Sequence, residues 1–274
     1  MSTTNQLYTT FRNGIKMPLL GLGVYDMHNA EAEKAVEDAL EIGYRLIDTA
    51  SLYRNEKEIG NAIRKSAVPR EEIFVTTKLG NGDQGFESSL KAFDTSLKLL
   101  NIDYIDCYLV HWPIRGKRKE SWLALEKLYS EKRVRSIGVA NYLIPFLDEL
   151  STYATDVPVL NQVEFSPYLY LKDLMEYCQQ RNIQLQSYTP LVRGKKFSDP
   201  RILAIAARHV KSPAQIILRW NMEHGVSAIP KSSNKVRLQE NFDIFDFSLT
   251  AAEMKEMDSW NENYRVVDNP MDYY

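Results

Sequence analysis

Eight short apolar runs, the helical stripes between them and a missing glycine pattern predict an α/β chain closed as a (β/α)8 barrel. The runs lie at Leu19–Leu22, Leu46–Ile47, Ile73–Thr77, Ile105–Val110, Val134–Val139, Val159–Val163, Ile183–Tyr188 and Val226–Ile229. Most are too short for helices and rich in Ile, Val and Tyr, as strands buried on both faces are. Strands alternating with helices imply a parallel sheet, because each crossover needs a helix. A barrel of this kind takes about 250 residues, and the chain has 274. An open doubly wound sheet expects Gly-x-Gly-x-x-Gly after its first strand. Here the first run gives only Gly21-Leu22-Gly23-Val24-Tyr25, with no third glycine and no helix start.

The elements follow in order. Tyr8–Phe11, then Arg12-Asn13-Gly14, then Ile15–Met17 form an expected hairpin, since Asn-Gly tolerates positive φ. It is expected to close the bottom of the barrel. Ala32, Ala35, Val36, Ala39 and Leu40 keep helical spacing, with Asn29 as the expected N-cap and Gly43 as the stop. Phe86, Leu90, Phe93, Leu97 and Leu100 make a second stripe. Trp122, Leu125, Leu128 and Tyr129 make a third, with the helix expected from Ser121. Ser212-Pro213-Ala214-Gln215 and Thr250-Ala251-Ala252-Glu253 are capping boxes, the second with Leu249 and Met254 placed as a staple. No low-complexity linker divides residues 1–274, so a single barrel domain is expected.

Composition excludes several classes. Lys and Arg total 34 against 36 acids, a net charge of −2. That balance argues against a nucleic-acid or anionic-membrane binder, while leaving room for one small basic pocket. With only Cys107 and Cys178, a disulfide framework is not expected and a reducing compartment fits. No apolar run reaches the roughly 18 residues that span a bilayer. Met1–Tyr8 lacks the apolar stretch of a signal peptide. A soluble cytoplasmic protein is the expectation.

In such a barrel chemistry sits at the C-terminal ends of the strands. The second run ends at Asp48 with Tyr53 beyond it, the third at Lys78, the fourth at His111-Trp112-Pro113. Singly, each residue has a plain structural reading. Asp48 suits a helix cap, Lys78 a solvated side chain, His111 a satisfied half-buried histidine, and Tyr53 a packing aromatic. Together on one rim they suit proton chemistry. A buried Lys beside an Asp would be paired. An ammonium near a tyrosine hydroxyl favours phenolate and draws its pKa down from about 10, and the histidine can orient a substrate oxygen.

These residues resemble the aldo-keto reductase superfamily over nearly the whole chain. Gly43–Ala50 with Tyr53 and Asn55-Glu56 is similar to one family signature. Leu109–Pro113 is similar to a second, and Ile229–Ser232 running to Arg237 and Glu240–Phe242 to a third. The branch is similar to bacterial 2,5-diketo-D-gluconate reductases and prostaglandin F synthase-like reductases. The resemblance implies NADPH-dependent reduction of a small carbonyl compound by a monomer needing no metal. It implies Tyr53 as general acid, Lys78 lowering its pKa, Asp48 pairing with Lys78, and His111 positioning the carbonyl. It implies Asn141 and Gln162 on the nicotinamide carboxamide and Tyr188 stacked on the ring, a position where a core aromatic is the competing reading. Lys231, Ser232 and Arg237 would hold the 2′-phosphate, and Glu240 and Asn241 lie near the adenine. Leu191, Arg193 and Gly194 would fold over the pyrophosphate. Tyr25 and Trp112, with Tyr53, would line the substrate pocket.

One departure is Ala140, where the family commonly has Ser. It implies a lost hydrogen bond worth roughly 0.5–1.5 kcal/mol. Residues 263–274 either fold over the pocket, or their tyrosines pack outside it or are disordered. A non-catalytic NADPH-binding subunit and a sugar-phosphate isomerase are the competing functions. The second leaves Asp48, Tyr53, Lys78 and His111 without a role.

Overall fold

The structure, a computed structural model, describes residues 7–273. It begins with the expected antiparallel hairpin, β1 (Tyr8–Thr10) and β2 (Lys16–Pro18). Gly14 in its turn has φ 82°, a conformation that a side chain would strain.

Parallel strands follow: β3 (Leu22–Gly23), β4 (Leu46–Asp48), β5 (Phe74–Leu79), β6 (Cys107–Val110), β7 (Ile137–Ala140), β8 (Leu160–Glu164), β9 (Gln184–Tyr188) and β10 (Ser227–Ile229). They hydrogen-bond in chain order from β3 to β10. The first and last then meet. Gly21 N–H donates to Ala228 O at 2.9 Å, Ala228 N–H to Leu19 O at 2.8 Å, and Gly23 N–H to Pro230 O at 3.2 Å. The barrel is therefore closed. A Cβ on Gly23 would stand 2.8 Å from Ile229 O, so the seam requires glycine there.

The helices are α1 (Asn29–Ile42), α2 (Glu56–Lys65), α3 (Phe86–Leu100), α4 (Arg118–Ser130), α5 (Ile144–Ser151), α6 (Lys172–Gln180), α7 (Pro200–His209), α8 (Pro213–Glu223), α9 (Lys235–Phe242) and α10 (Ala251–Asp258). Both capping boxes form, at α8 and α10. Two boundaries differ from the sequence reading. The N-cap of α1 is His28, without a side-chain cap bond, and Asn29 is already helical. Helix α4 starts at Arg118, because Ser121 faces inward, donating to Lys117 O and accepting Gly85 N–H, instead of capping.

The hairpin covers the N-terminal ends of the strands. Thr9 Oγ1 donates to Gln184 Oε1 at 2.8 Å, and Asn13 Nδ2 to Ser136 Oγ at 3.2 Å. Phe11 and Met17 join Leu46, Phe74, Cys107 and Leu109 in one apolar cluster at this end. Asp106, just before β6, lies beside it and is almost wholly buried. It accepts from Arg70 Nη2 at 2.8 Å, Arg135 Nη1 at 2.6 Å and Val75 N–H at 3.0 Å. Cys107 and Cys178 are buried and unpaired. Among the described residues no helix is long and apolar enough to cross a membrane.

Candidate active site

At the other end the strands run on into polar residues. Asp48 closes β4, and Lys78 stands one residue from the end of β5. His111 and Asn141 directly follow β6 and β7. Tyr53 comes from one turn of 3-10 helix, Ser51–Tyr53, stopped by Arg54 at φ 56°. Buried Asn55 holds that turn in place. Its amide donates to Val24 O (2.9 Å) and Met27 O (3.0 Å), and its oxygen accepts from Thr49 Oγ1 (2.6 Å).

The four residues expected on one rim come together. Lys78, with no exposed side-chain surface, places Nζ 2.5 Å from Asp48 Oδ1, 2.9 Å from Thr49 O and 3.4 Å from Tyr53 Oη. An ammonium has three N–H groups, so all three are directed. The Tyr53 ring meets those of His111 and Tyr25 edge-on, with centroids 5.7 and 5.1 Å away.

Burial governs the ionisation here. It pushes Asp48 above the usual carboxylate value, against the pull of Lys78 and Gln162. It lowers Lys78, against the opposing effect of Asp48. His111 is held well below 6.5, by burial first and then by the Lys78 charge, so its imidazole is neutral. Tyr53 differs from the sequence reading. Burial, the Asp48 carboxylate and Tyr25 hold it well above 10, so the net effect is not the expected lowering by Lys78. Tyr53 is thus fully protonated at neutral pH.

A cavity of about 580 Å³ opens over this group. That lies within the usual range for ligand sites. Its walls include Asp48, Tyr53, His111, Asn141, Gln162, Tyr188, Leu191 and Lys231, with Tyr25 and Trp112 at the mouth. Asn141 and Gln162 are less free than expected. Asn141 Nδ2 donates to His111 O (2.8 Å) and its oxygen accepts from Tyr188 Oη (2.7 Å). Gln162 Nε2 donates to Asp48 Oδ2 (2.6 Å) and Gln186 Oε1 (2.8 Å). Gln162 therefore has only its carbonyl oxygen to offer a ligand, and Asn141 one N–H and the second lone pair of its oxygen. Ala140 is buried in the apolar interior.

Ser232, Arg237, Glu240 and Asn241 stand outside the cavity wall, on or just before α9. Ser232 Oγ accepts Asn234 N–H at 3.2 Å, and Asn234 caps α9 through Arg237 N–H. Among the described residues Lys231, Arg193 and Arg237 form no ion pair. Lys235 beside them is engaged by Glu41 at 2.6 Å and Asp38 at 3.3 Å. Lys231, whose Nζ also donates to Asp26 O at 3.2 Å, and Arg193 lie on the cavity wall and fit the phosphates of a cofactor, and Tyr188 on the wall fits its flat ring.

Sequence reading did not show the backbone of the loop after β9 or the lining from Val267 and Asp268. Residues 189–193 contain Thr189, Val192 and Arg193 at φ 50–52°, which is strained for β-branched side chains. Val267 and Asp268 line the cavity, and Tyr273 lies on Trp112 at 4.9 Å. Among the described residues the terminal segment up to Tyr273 thus folds over the pocket, one of the arrangements left open by its sequence; Tyr274 lies outside the described residues.

Residues 19–262 match the model of the Aldo/keto reductase family, so the chain belongs to that family and is an oxidoreductase. It is 46% identical to the glyoxal reductase of Bacillus subtilis (strain 168), over 98% of each chain. Among solved structures it resembles an aldo-keto reductase from a Medee basin deep-sea metagenome library, with TM-score 0.93, 44% identity, and 95% and 97% of the two chains covered. It also resembles an aldo-keto reductase of Bombyx mori in complex with NADP, with TM-score 0.90, 34% identity, and 96% and 95% covered.

Proposed function

We propose that this oxidoreductase reduces small aldehydes, ketones or dicarbonyls to alcohols with NADPH, and that Tyr53 gives the proton. The observation that carries this reading is the buried contact series from Asp48 through Lys78 to the Tyr53 hydroxyl, facing the cavity. NADPH when bound supplies the hydride; the protein supplies position and the proton.

Each residue then has a distinct task. Tyr53, kept protonated by burial, donates its hydroxyl proton to the carbonyl oxygen as charge develops there. Lys78, 3.4 Å from that hydroxyl, stabilises the phenolate left behind. Asp48 fixes Lys78 and is itself fixed by Gln162. His111, neutral, has one N–H with which to orient the carbonyl oxygen. Lys231, Arg193 and Arg237 would take the phosphates, with Ser232 beside the 2′-phosphate and Glu240 and Asn241 near the adenine. Tyr188 would pack on the nicotinamide. By the same reading the chain works as a one-barrel cytoplasmic monomer without nucleic-acid or membrane partners.

Tyr53→Phe tests this. With glyoxal as first probe, kcat should fall about 10²–10⁴-fold, the usual worth of a positioned proton donor. NADPH binding, followed by quenching of protein fluorescence, should stay unchanged. A variant that keeps its rate would remove Tyr53 from the role.

A further inference from the structure

Arg118 does not line the cavity and belongs to a basic run, Arg115-Gly116-Lys117-Arg118-Lys119. The structure nevertheless buries it, with only 9% of its side chain exposed. Its guanidinium ties three segments to its own helix. Nε donates to Glu149 Oε1 at 3.0 Å and Nη2 reaches Glu149 Oε2 at 2.6 Å, a two-pronged pair with α5. The group also lies 5.2 Å from the Phe146 ring centre. Nη1 donates to Pro113 O at 3.0 Å and to Tyr273 O at 3.3 Å.

The last two bonds matter for the cavity. Pro113 directly follows Trp112, and the Tyr273 ring lies on Trp112 with centroids 4.9 Å apart and planes 33° apart. One guanidinium thus holds the backbone behind both rings. At its other end the terminal segment is tied to β8, where Val266 N–H donates to Glu164 Oε1 at 2.7 Å. Between the two ties Val267 and Asp268 face the cavity. In the ring of eight strands β6 stands opposite β10. This wall is therefore across the barrel from Lys231.

We propose that Arg118 is a positioning residue for substrate selection: it fixes Tyr273 behind Trp112, outside the cavity lining, and so sets the Trp112 face that flat, aryl-bearing aldehydes lie along. Compact dicarbonyls, which reach Tyr53 and His111 without touching that wall, are indifferent to it. The proposal rests on the carbonyl-reductase reading above.

The test compares 4-nitrobenzaldehyde with glyoxal in Arg118→Met and Tyr273→Ala. Each variant should lose about tenfold in kcat/KM for the aryl aldehyde, the scale of one aromatic contact. The loss should sit mainly in KM. Glyoxal turnover and NADPH binding should stay within twofold. The double variant should be no worse than either single one, since both remove the same contact. Arg118→Lys keeps the charge but not the planar fork, and should behave like Arg118→Met. Hydrogen exchange of peptides covering 263–273 should quicken in Arg118→Met. Equal losses for both aldehydes, additive losses in the double variant, full recovery with lysine, or an unchanged ratio would each overturn the proposal. Should Arg118→Met fail to fold, Tyr273→Ala at the chain's end carries the comparison. Failure of the reductase reading is distinguishable: the unaltered chain would oxidise NADPH with neither aldehyde, while exchange would still report on the wall.

Discussion

The two ends of this barrel each bury a carboxylate against basic side chains, and use it differently. At the bottom, Asp106 accepts from two arginines and a backbone N–H. Those arginines keep 17% and 41% of their side chains exposed. At the top, Asp48 meets a lysine with no exposure at all, whose third N–H points at a tyrosine hydroxyl. Near it His111 Nδ1 is buried without a partner, and Thr189 and Val192 hold strained backbone. A satisfied acid ties strands together. An acid that shares its cation with a phenol holds a proton donor ready.

Substitutions can break this contrast. The largest effect is expected for Lys78→Met. It removes the phenolate's partner and leaves Asp48 buried without a counter-charge, so activity should vanish and stability fall by about 3–5 kcal/mol. Urea titration reads the second quantity. Adding Asp48→Asn should restore most of the stability and none of the turnover. Restored turnover would show that the pair is structural, like its counterpart below. Asp106→Asn is the mirror experiment. It should cost roughly 1–3 kcal/mol, while kcat stays within twofold.

The cations of the upper end give a third measurement. Arg237→Met and Lys231→Met should each weaken NADPH binding about 10–100-fold, the worth of a charge-assisted bond. NADH binding should barely change. Equal effects on both nucleotides would move the 2′-phosphate elsewhere.

Glu253 is a control away from both ends. Burial favours its protonated form, but Thr250, His209 and Arg208 outweigh this by hydrogen bonding and hold it at about 2, against 4.5. The native state therefore binds this proton less readily than the unfolded chain. Its contribution is present above pH 4.5 and is lost as pH falls toward 2. Glu253→Gln should lower Tm at pH 7, and the gap from the parent should narrow between pH 4.5 and 2. A gap independent of pH would place the effect in packing.

The barrel was legible because its signals are local. Each apolar run holds a strand, and both capping boxes form as written. Three of the four rim residues stand at or just past the ends of predicted strands, so the search for them had an address. What stayed hidden depends on distance in sequence. Nothing in Gln162 announces a bond to Asp48, 114 residues away, and nothing in a basic loop announces that Arg118 reaches Tyr273, 155 residues on. Asp106, inside the apolar run Ile105–Val110, gives no sign in the sequence of Arg70 and Arg135, 36 and 29 residues away. The ionisation of Tyr53 was misjudged for a related reason. A sequence shows a neighbouring lysine, but not how completely both groups are withdrawn from water.

The seam between the first and last strands sets a timetable. Asp48, Tyr53, Lys78 and His111 are all made in the first half of the chain. Leu19, Gly21 and Gly23 find their backbone partners only when residues 228–230 exist. At about 5–20 residues per second, those partners arrive roughly ten to forty seconds after Asp48. Until then the seam side of β3 lacks its backbone partners, and the barrel cannot close. Unpaired strand edges are prone to aggregate, so closure of this seam is the step that a chain still in synthesis has to wait for.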